Sequence, residues 1–134
     1  MSNMKIIKLT TFIKKSGNLL PIEFNKKFPI KVKRIFFIFG KKNKVRGDHA
    51  HKKCSQLFIP ISGKIVLIIK KKNKKIEVIL DSKKIKALLV PPLEWCKLKF
   101  LTTNAIIMVA CDRKYEFSDY IEKYNDFLKI KKII

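Results

Sequence analysis

Histidine occurs twice in this chain, at His49 and His51, within the run Arg46-Gly47-Asp48-His49-Ala50-His51. Residues two apart on a β-strand point to the same face, so a strand through this run presents both imidazoles side by side to one space. An imidazole with an ordinary pKa of about 6.5 can take a proton and later return it at neutral pH. A paired His-x-His beside Arg46 and Asp48, in a chain that uses histidine nowhere else, is better explained by a site than by two chance surface residues. Arg46 and the amide of Gln56 are candidate donors to a developing oxyanion, against the plainer roles of a loop anchor and an internal hydrogen bond. Asp48 points the opposite way on an ideal strand and is expected to hold a loop rather than orient an imidazole.

The remaining chemistry-bearing residues are sparse. Only Arg34, Arg46 and Arg113 are arginines among 32 basic residues. A rigid bidentate fork is hard to replace with lysine, which singles out Arg34 and Arg46 and leaves Arg113 as a surface residue. Trp95 could stack on a base or sugar, or fill the core. Cys54, Cys96 and Cys111 are an odd number at wide spacing, which suggests reduced thiols rather than a disulfide framework or a zinc knuckle.

The elements that must position these residues read mainly as strands. Short β-rich runs at Lys31 to Phe39, Gln56 to Ser62, Lys64 to Lys70, Lys75 to Leu80, Lys86 to Val90 and Ala105 to Cys111 are separated by Gly, Asn, Asp, Ser or Pro. That spacing predicts a sandwich or barrel. The tail from Ser118 to Ile130 reads as a helix, with Ser118 as N-cap and Ile121, Tyr124, Phe127 and Leu128 at helical spacing, packing as a lid. At 134 residues and 47% hydrophobic, residues 1–134 read as one domain. No apolar run approaches a membrane span and the N-terminus lacks a signal-peptide pattern, so a cytoplasmic location is expected.

The formal net charge is +22. A polyanion partner is the functional reading of that excess. The opposing reading is compositional bias toward Lys, Ile, Asn and Phe, with lysines collected in turns such as Lys41 to Lys44 and Lys70 to Lys75. Neither turn carries the interleaved aromatics of a single-strand binding platform, so no nucleic-acid or membrane partner is expected.

The run from Gly47 through His49, His51 and Gln56 to Gly63 resembles the first motif of the cupin superfamily, and Val90 to Cys96 resembles the second. The resemblance implies an antiparallel cupin barrel with a short C-terminal helix. Gln56 stands where that pattern usually has glutamate, and Cys96 roughly where it has a third histidine. Two neutral histidines and an amide make a poor set for a divalent cation, so the expectation is a metal-free site.

A narrower resemblance extends from about Leu19 to Leu128. Lys33 to Ile38, Arg46 to Lys52, Pro91 to Trp95, Tyr115 to Ile121, Tyr124 and Asp126 to Leu128 are similar, in order, to the cofactor-free sugar 3,4-ketoisomerases. These act on dTDP-4-keto-6-deoxyglucose in deoxyamino-sugar synthesis for surface glycans. The resemblance implies that His49 and His51 transfer protons through an enediol, with His51 favoured as base and His49 assisting. It also implies a homodimer and a substrate-binding role for Arg34, Arg46, Gln56, Trp95 and Lys97. The stretches that bear on product configuration at C4 in the family read Lys14 to Gly17 and Cys96-Lys97 here. Family members often carry tyrosines where this chain has Phe36, Phe37 and Phe39, so no phenol is expected on that strand. A cupin sugar-nucleotide 3,5-epimerase and a basic nucleic-acid-binding barrel are the alternatives, the former expected to pair a base histidine with a tyrosine acid.

Overall fold

The structure, a computed structural model, describes residues 4–133. Its strands in chain order are β1 (Lys5–Lys8), β2 (Phe12–Lys14), β3 (Gly17–Leu19), β4 (Arg34–Gly40), β5 (Val45–His51), β6 (Gln56–Ser62), β7 (Lys64–Lys70), β8 (Lys75–Asp81), β9 (Lys86–Val90), β10 (Trp95–Phe100), β11 (Ala105–Cys111) and β12 (Tyr120–Ile121). One helix, α1 (Tyr124–Ile133), follows. Two five-stranded antiparallel sheets form, ordered β1-β9-β6-β11-β4 and β12-β5-β10-β7-β8, and β2 pairs with β3 as a separate hairpin. From β4 onward the chain passes repeatedly between the two sheets, the jelly-roll habit of a cupin.

The alternation of side chains assigns each face its work. Phe58 of β6, Ile107 and Val109 of β11, Leu67 and Ile69 of β7 and Phe100 of β10 meet between the sheets in one buried cluster. Their sequence neighbours Leu57, Ile59, Met108 and Ala110 point to the other side of the first sheet, where Leu20, Ile22, Phe28, Ile30 and Val32 cover them. The second sheet is covered differently. Ala50, Trp95, Ile121 and Phe127 form a buried cluster there, with Tyr124, Leu128 and Ile130 of α1 packed against it. Burying a Phe or Leu side chain contributes about 1.5–3 kcal/mol, so these flanking layers fix the strands that carry the site.

Five predicted strands recur with the same or nearly the same bounds, and the pair of histidines does lie on a strand, β5. The strand list omits β10, although its Lys97 and Lys99 alternate with buried Leu98 and Phe100. The helix begins later than predicted. Phe117–Asp119 form a 3-10 turn, and Tyr120 and Ile121 pair with His51 and Ala50 of β5. Those sheet bonds and the bonds to Asp119 hold the segment more firmly than one further helical turn would, so Ser118 is not an N-cap. The helix covers the outside of the second sheet and contributes no residue to the central cavity.

Candidate active site

Ala50 points outward beneath α1, so its neighbours His49 and His51 point into the space between the sheets. Their ring centroids lie 5.1 Å apart, nearly edge to face. His51 is almost fully buried. Both line a cavity of about 480 Å³ together with Arg46, Gln56, Glu94 and Tyr120 and an apolar wall that includes Phe36, Phe58 and Leu98.

A bulge in β5 brings Arg46 into this group. Opposite β10, Gly47 pairs with Lys97 and His49 with Cys96, which leaves Asp48 as an extra residue. Gly47 and Asp48 have φ values of 87° and 67°, the left-handed geometry that glycine adopts freely and aspartate tolerates. An extra residue resets the alternation. Arg46, which a regular strand would place opposite the histidines, therefore shares their face. Asp48 leaves the cavity and accepts a 2.9 Å hydrogen bond from the Trp95 indole N–H.

Asp119 organises His51. Its Oδ2 accepts from His51 Nδ1 at 2.9 Å and from the Cys54 amide at 3.3 Å, and its Oδ1 accepts from the Lys53 amide at 2.7 Å. Burial alone would raise the Asp119 pKa, but these donors and the imidazole hold it below the usual carboxylate value. An ionised Asp119 fixes the proton on His51 Nδ1, leaving Nε2 with a lone pair. That atom is buried and has no hydrogen-bond partner. Burial pushes the His51 pKa below its ordinary value, and the Asp119 bond only partly offsets this. His49 is also pushed down, first by burial and then by His51. Both imidazoles are consequently neutral near pH 7, the state a general base requires.

Of the residues singled out in the sequence, His49, His51, Arg46 and Gln56 meet in the cavity; Arg34, Trp95 and Lys97 do not line it. Trp95 sits in the outer cluster, between Tyr124 and Phe127 of α1. Its odd position on β10 sends it outward while Cys96 faces in. Lys97 lies over Asp48, Lys70 and Lys72 on the other side of the sheet. Arg34 does point inward; its guanidinium donates to Cys111 Sγ at 3.6 Å and lies over the rings of Phe36 and Tyr115, while its Nε is buried without a hydrogen-bond partner. Burial works against its charge, yet Tyr120 and Cys111 raise its pKa.

Sequence reasoning missed Asp119, Tyr120 and Glu94. Asp119 was legible only in part: with 10 acidic residues in the chain, a carboxylate among Phe117, Tyr120 and Ile121 is a candidate for burial. Glu94 is buried on the cavity wall and pairs with Lys71 Nζ at 2.6 Å.

Cupins commonly hold a metal, and His51, Cys54 and Asp119 do bring one ligand atom each within 4.8 Å of one another. These residues do not fit that use. Asp119 already accepts three hydrogen bonds, and contact with Cys111 together with burial raises the Cys54 thiol, keeping it from becoming a thiolate ligand. Cys96 is likewise pushed up to about 12 by burial.

The fold is that of a cupin, with two histidines, one of them anchored by Asp119, inside an apolar-walled cavity. A family model described as FdtA: WxcM-like, C-terminal, matches residues 2–132, and the chain belongs to this family. It is 34% identical over 126 residues to the TDP-4-oxo-6-deoxy-alpha-D-glucose-3,4-oxoisomerase of Aneurinibacillus thermoaerophilus, covering 93% of this chain and 90% of that one. Among solved structures it is similar to the sugar 3,4-ketoisomerase QdtA of Thermoanaerobacterium thermosaccharolyticum in complex with TDP, with 28% identity, a TM-score of 0.89, and coverage of 98% and 96%. A histidine-to-asparagine mutant of QdtA in complex with TDP-4-keto-6-deoxyglucose matches with 27% identity, a TM-score of 0.90, and coverage of 99% and 96%.

Proposed function

We infer that this chain is a TDP-sugar 3,4-ketoisomerase of deoxysugar biosynthesis that moves the ketone of TDP-4-keto-6-deoxyglucose from C4 to C3, in keeping with the 3,4-oxoisomerase and 3,4-ketoisomerase relatives it matches. The observation that carries the reading is the pair of buried His51 and half-buried His49, neutral by virtue of its surroundings, with His51 anchored by Asp119. The neighbouring carbonyl acidifies the C3 hydrogen. His51 Nε2 takes that proton, and the resulting imidazolium, stabilised by Asp119, returns it to C4 through an enediol; His49 assists from the same face. Arg46 and Gln56 donate toward the charge that develops on oxygen. No metal or cofactor takes part.

The homodimer belongs to this proposal. β4 is an edge of the first sheet, and alternate residues Ile35, Phe37 and Phe39 are exposed on it. The β2–β3 hairpin exposes Phe12, Ile13 and Leu19. Exposed apolar edges of this kind call for a partner. A cytoplasmic location fits three thiols that remain unbridged. Among the described residues no helix is long and apolar enough to cross a membrane.

The test is incubation with TDP-4-keto-6-deoxyglucose in deuterium oxide, followed by NMR. A C3 ketone is the expected outcome, with deuterium at C4 to the extent that the imidazolium proton exchanges with solvent before its return. Deuterium at C5 without a C3 ketone would indicate an epimerase instead, and no C3 ketone would end the isomerase reading. His51→Asn and His49→Asn each remove activity while the fold is kept.

A further inference from the structure

The two sheets are covered unequally on their outer faces. Leu20, Ile22, Phe28, Ile30 and Val32 lie over the first, and α1 lies over the Trp95 end of the second. The rest of the second sheet's outer face carries no such layer among the described residues. Strand alternation fixes what stands there. Leu98 and Phe100 of β10 and Leu67 and Ile69 of β7 point into the core, so Lys97, Lys99, Ile68 and Lys70 point out. The register sets Lys97 beside Ile68, and Lys70 beside Lys75 of β8. In the next row Val45, Lys99, Val66 and Ile79 stand side by side across four strands, with Val45 and Ile79 47% and 62% exposed.

We propose that this face is a docking surface for an anionic phospholipid bilayer, its lysines taking headgroup phosphates and its aliphatic row resting at the acyl boundary. The inference does not depend on the ketoisomerase reading, and it runs against the expectation of no membrane partner drawn from sequence. Lys70, Lys72, Lys74, Lys75 and Lys97 line one shallow depression around Ile68. The acid among its lining residues is Asp48, whose Oδ1 is already occupied by the Trp95 indole N–H. Glu77 and Asp81 lie within 3.8 Å of Lys75 and 3.9 Å of Lys64, exposed pairs that are loose in water and leave those cations available. A second group, Lys41, Lys42 and Lys44, immediately precedes Val45 at the β5 end of the aliphatic row. The two lysine-rich turns that sequence placement attributes to compositional bias therefore border one face of the fold.

The composition of the face selects among polyanions. Nucleic-acid surfaces set arginine forks or stacking aromatics among their positive charges, and the described residues of this face offer neither. Protein interfaces are depleted in lysine and enriched in arginine and aromatics. An anionic bilayer attracts lysines as point charges and accepts exposed aliphatic side chains at its interface, which is the pair of features found here.

The test is co-sedimentation of the full chain with vesicles of mixed phosphatidylglycerol and phosphatidylcholine, against phosphatidylcholine alone, at physiological ionic strength. Partition into the anionic vesicles is expected to be stronger by about tenfold or more and to fall as salt is raised. A Lys72→Glu, Lys75→Glu variant loses about 20-fold or more, since each lysine at such a surface contributes about fivefold. A Lys26→Glu, Lys31→Glu variant makes the same change in net charge on the loop over the first sheet. It stays within about threefold of wild type, because charges that far from the bilayer are screened. Ile79→Ser lowers partition by about threefold or more. Melting temperatures establish that each variant is folded; if the Lys72→Glu, Lys75→Glu variant is not, Lys74→Gln, Lys75→Gln replaces it, with a loss of about fivefold or more. Equal sedimentation with both vesicle types overturns the proposal, as do equal losses in the two glutamate variants, which would mark net charge alone. An Ile79→Ser variant indistinguishable from wild type overturns it as well. So does tighter binding to a single-stranded RNA homopolymer than to vesicles at equal phosphate, or release from vesicles by inorganic phosphate at equal phosphate concentration.

Discussion

Asp119→Asn tests the most specific feature of the site. The bond from His51 Nδ1 to the buried carboxylate is 2.9 Å long and charge-assisted. Such bonds contribute about 1.5–3 kcal/mol. If that difference is expressed mainly when imidazolium forms in the transition state, kcat falls about 10- to 150-fold, at about 1.4 kcal/mol per decade. The pH profile gives a second, independent signature. Asp119 raises the His51 pKa against the depression caused by burial, so its removal lowers that pKa further. The acid limb of kcat/KM therefore moves to lower pH while the plateau drops. A simple loss of fold would lower the plateau without moving the limb. The assay is conversion of TDP-4-keto-6-deoxyglucose between about pH 4.5 and 8, with the melting temperature recorded at each pH to exclude unfolding. A variant with a plateau within twofold of wild type and an unshifted acid limb would refute the assignment of Asp119 as the group that orients and charges His51.

Three other outcomes follow from the placement of side chains. Trp95→Phe deletes the bond to Asp48 and part of the packing under α1, so the protein loses about 1–2 kcal/mol in denaturant unfolding while kcat per folded molecule stays near wild type; a large rise in KM would instead restore Trp95 to the substrate site. Arg46→Ala raises KM for the sugar nucleotide by tenfold or more and Lys97→Ala leaves it within twofold, because the β5 bulge aims only the former into the cavity; steady-state kinetics on both variants decides. Both histidines have pKa values below 6.5 in the folded state, so between the folded value and about 6.5 the unfolded chain binds more protons and stability declines as pH falls through that window. A His49→Asn, His51→Asn double variant should show a shallower decline in melting temperature below about pH 6.5, and an unchanged slope would contradict the depressed values.

The chain's alternation made the β-sandwich legible, along with the common face of His49 and His51, because period-2 patterning is a local property. What it hid depended on features that break the period or span the fold. The bulge at Gly47 and Asp48 reverses which side Arg46 faces, and its only trace in the sequence is a glycine followed by an aspartate. Asp119 lies 68 residues from His51, within a stretch whose apolar spacing also suits a helix. Pairing of Tyr120 and Ile121 with β5 won that competition, and the same pairing delivers both Asp119 and Tyr120 to the histidines. Arg34 and Trp95 were singled out for their chemistry; in the fold Arg34 donates to Cys111, and Trp95 donates to Asp48 and packs against α1.

The distribution of charge explains why a chain with a net charge of +22 can keep His49 and His51 neutral without relying on its surface. Of its many cations, Arg46 lines the cavity and Arg34 stands behind Tyr120, while Lys71 is neutralised by Glu94 at the wall. Burial is the first cause of the depressed pKa at both His49 and His51. Surface lysines, screened over about 10 Å at ordinary ionic strength, add little at that depth. Asp119 then makes the pair unequal, since it contacts one imidazole and not the other. Two identical buried histidines would share a proton without direction. One histidine with a carboxylate behind it and a phenol before it has a defined proton-accepting atom, Nε2, and that asymmetry is what a reaction carrying a proton between adjacent carbons requires.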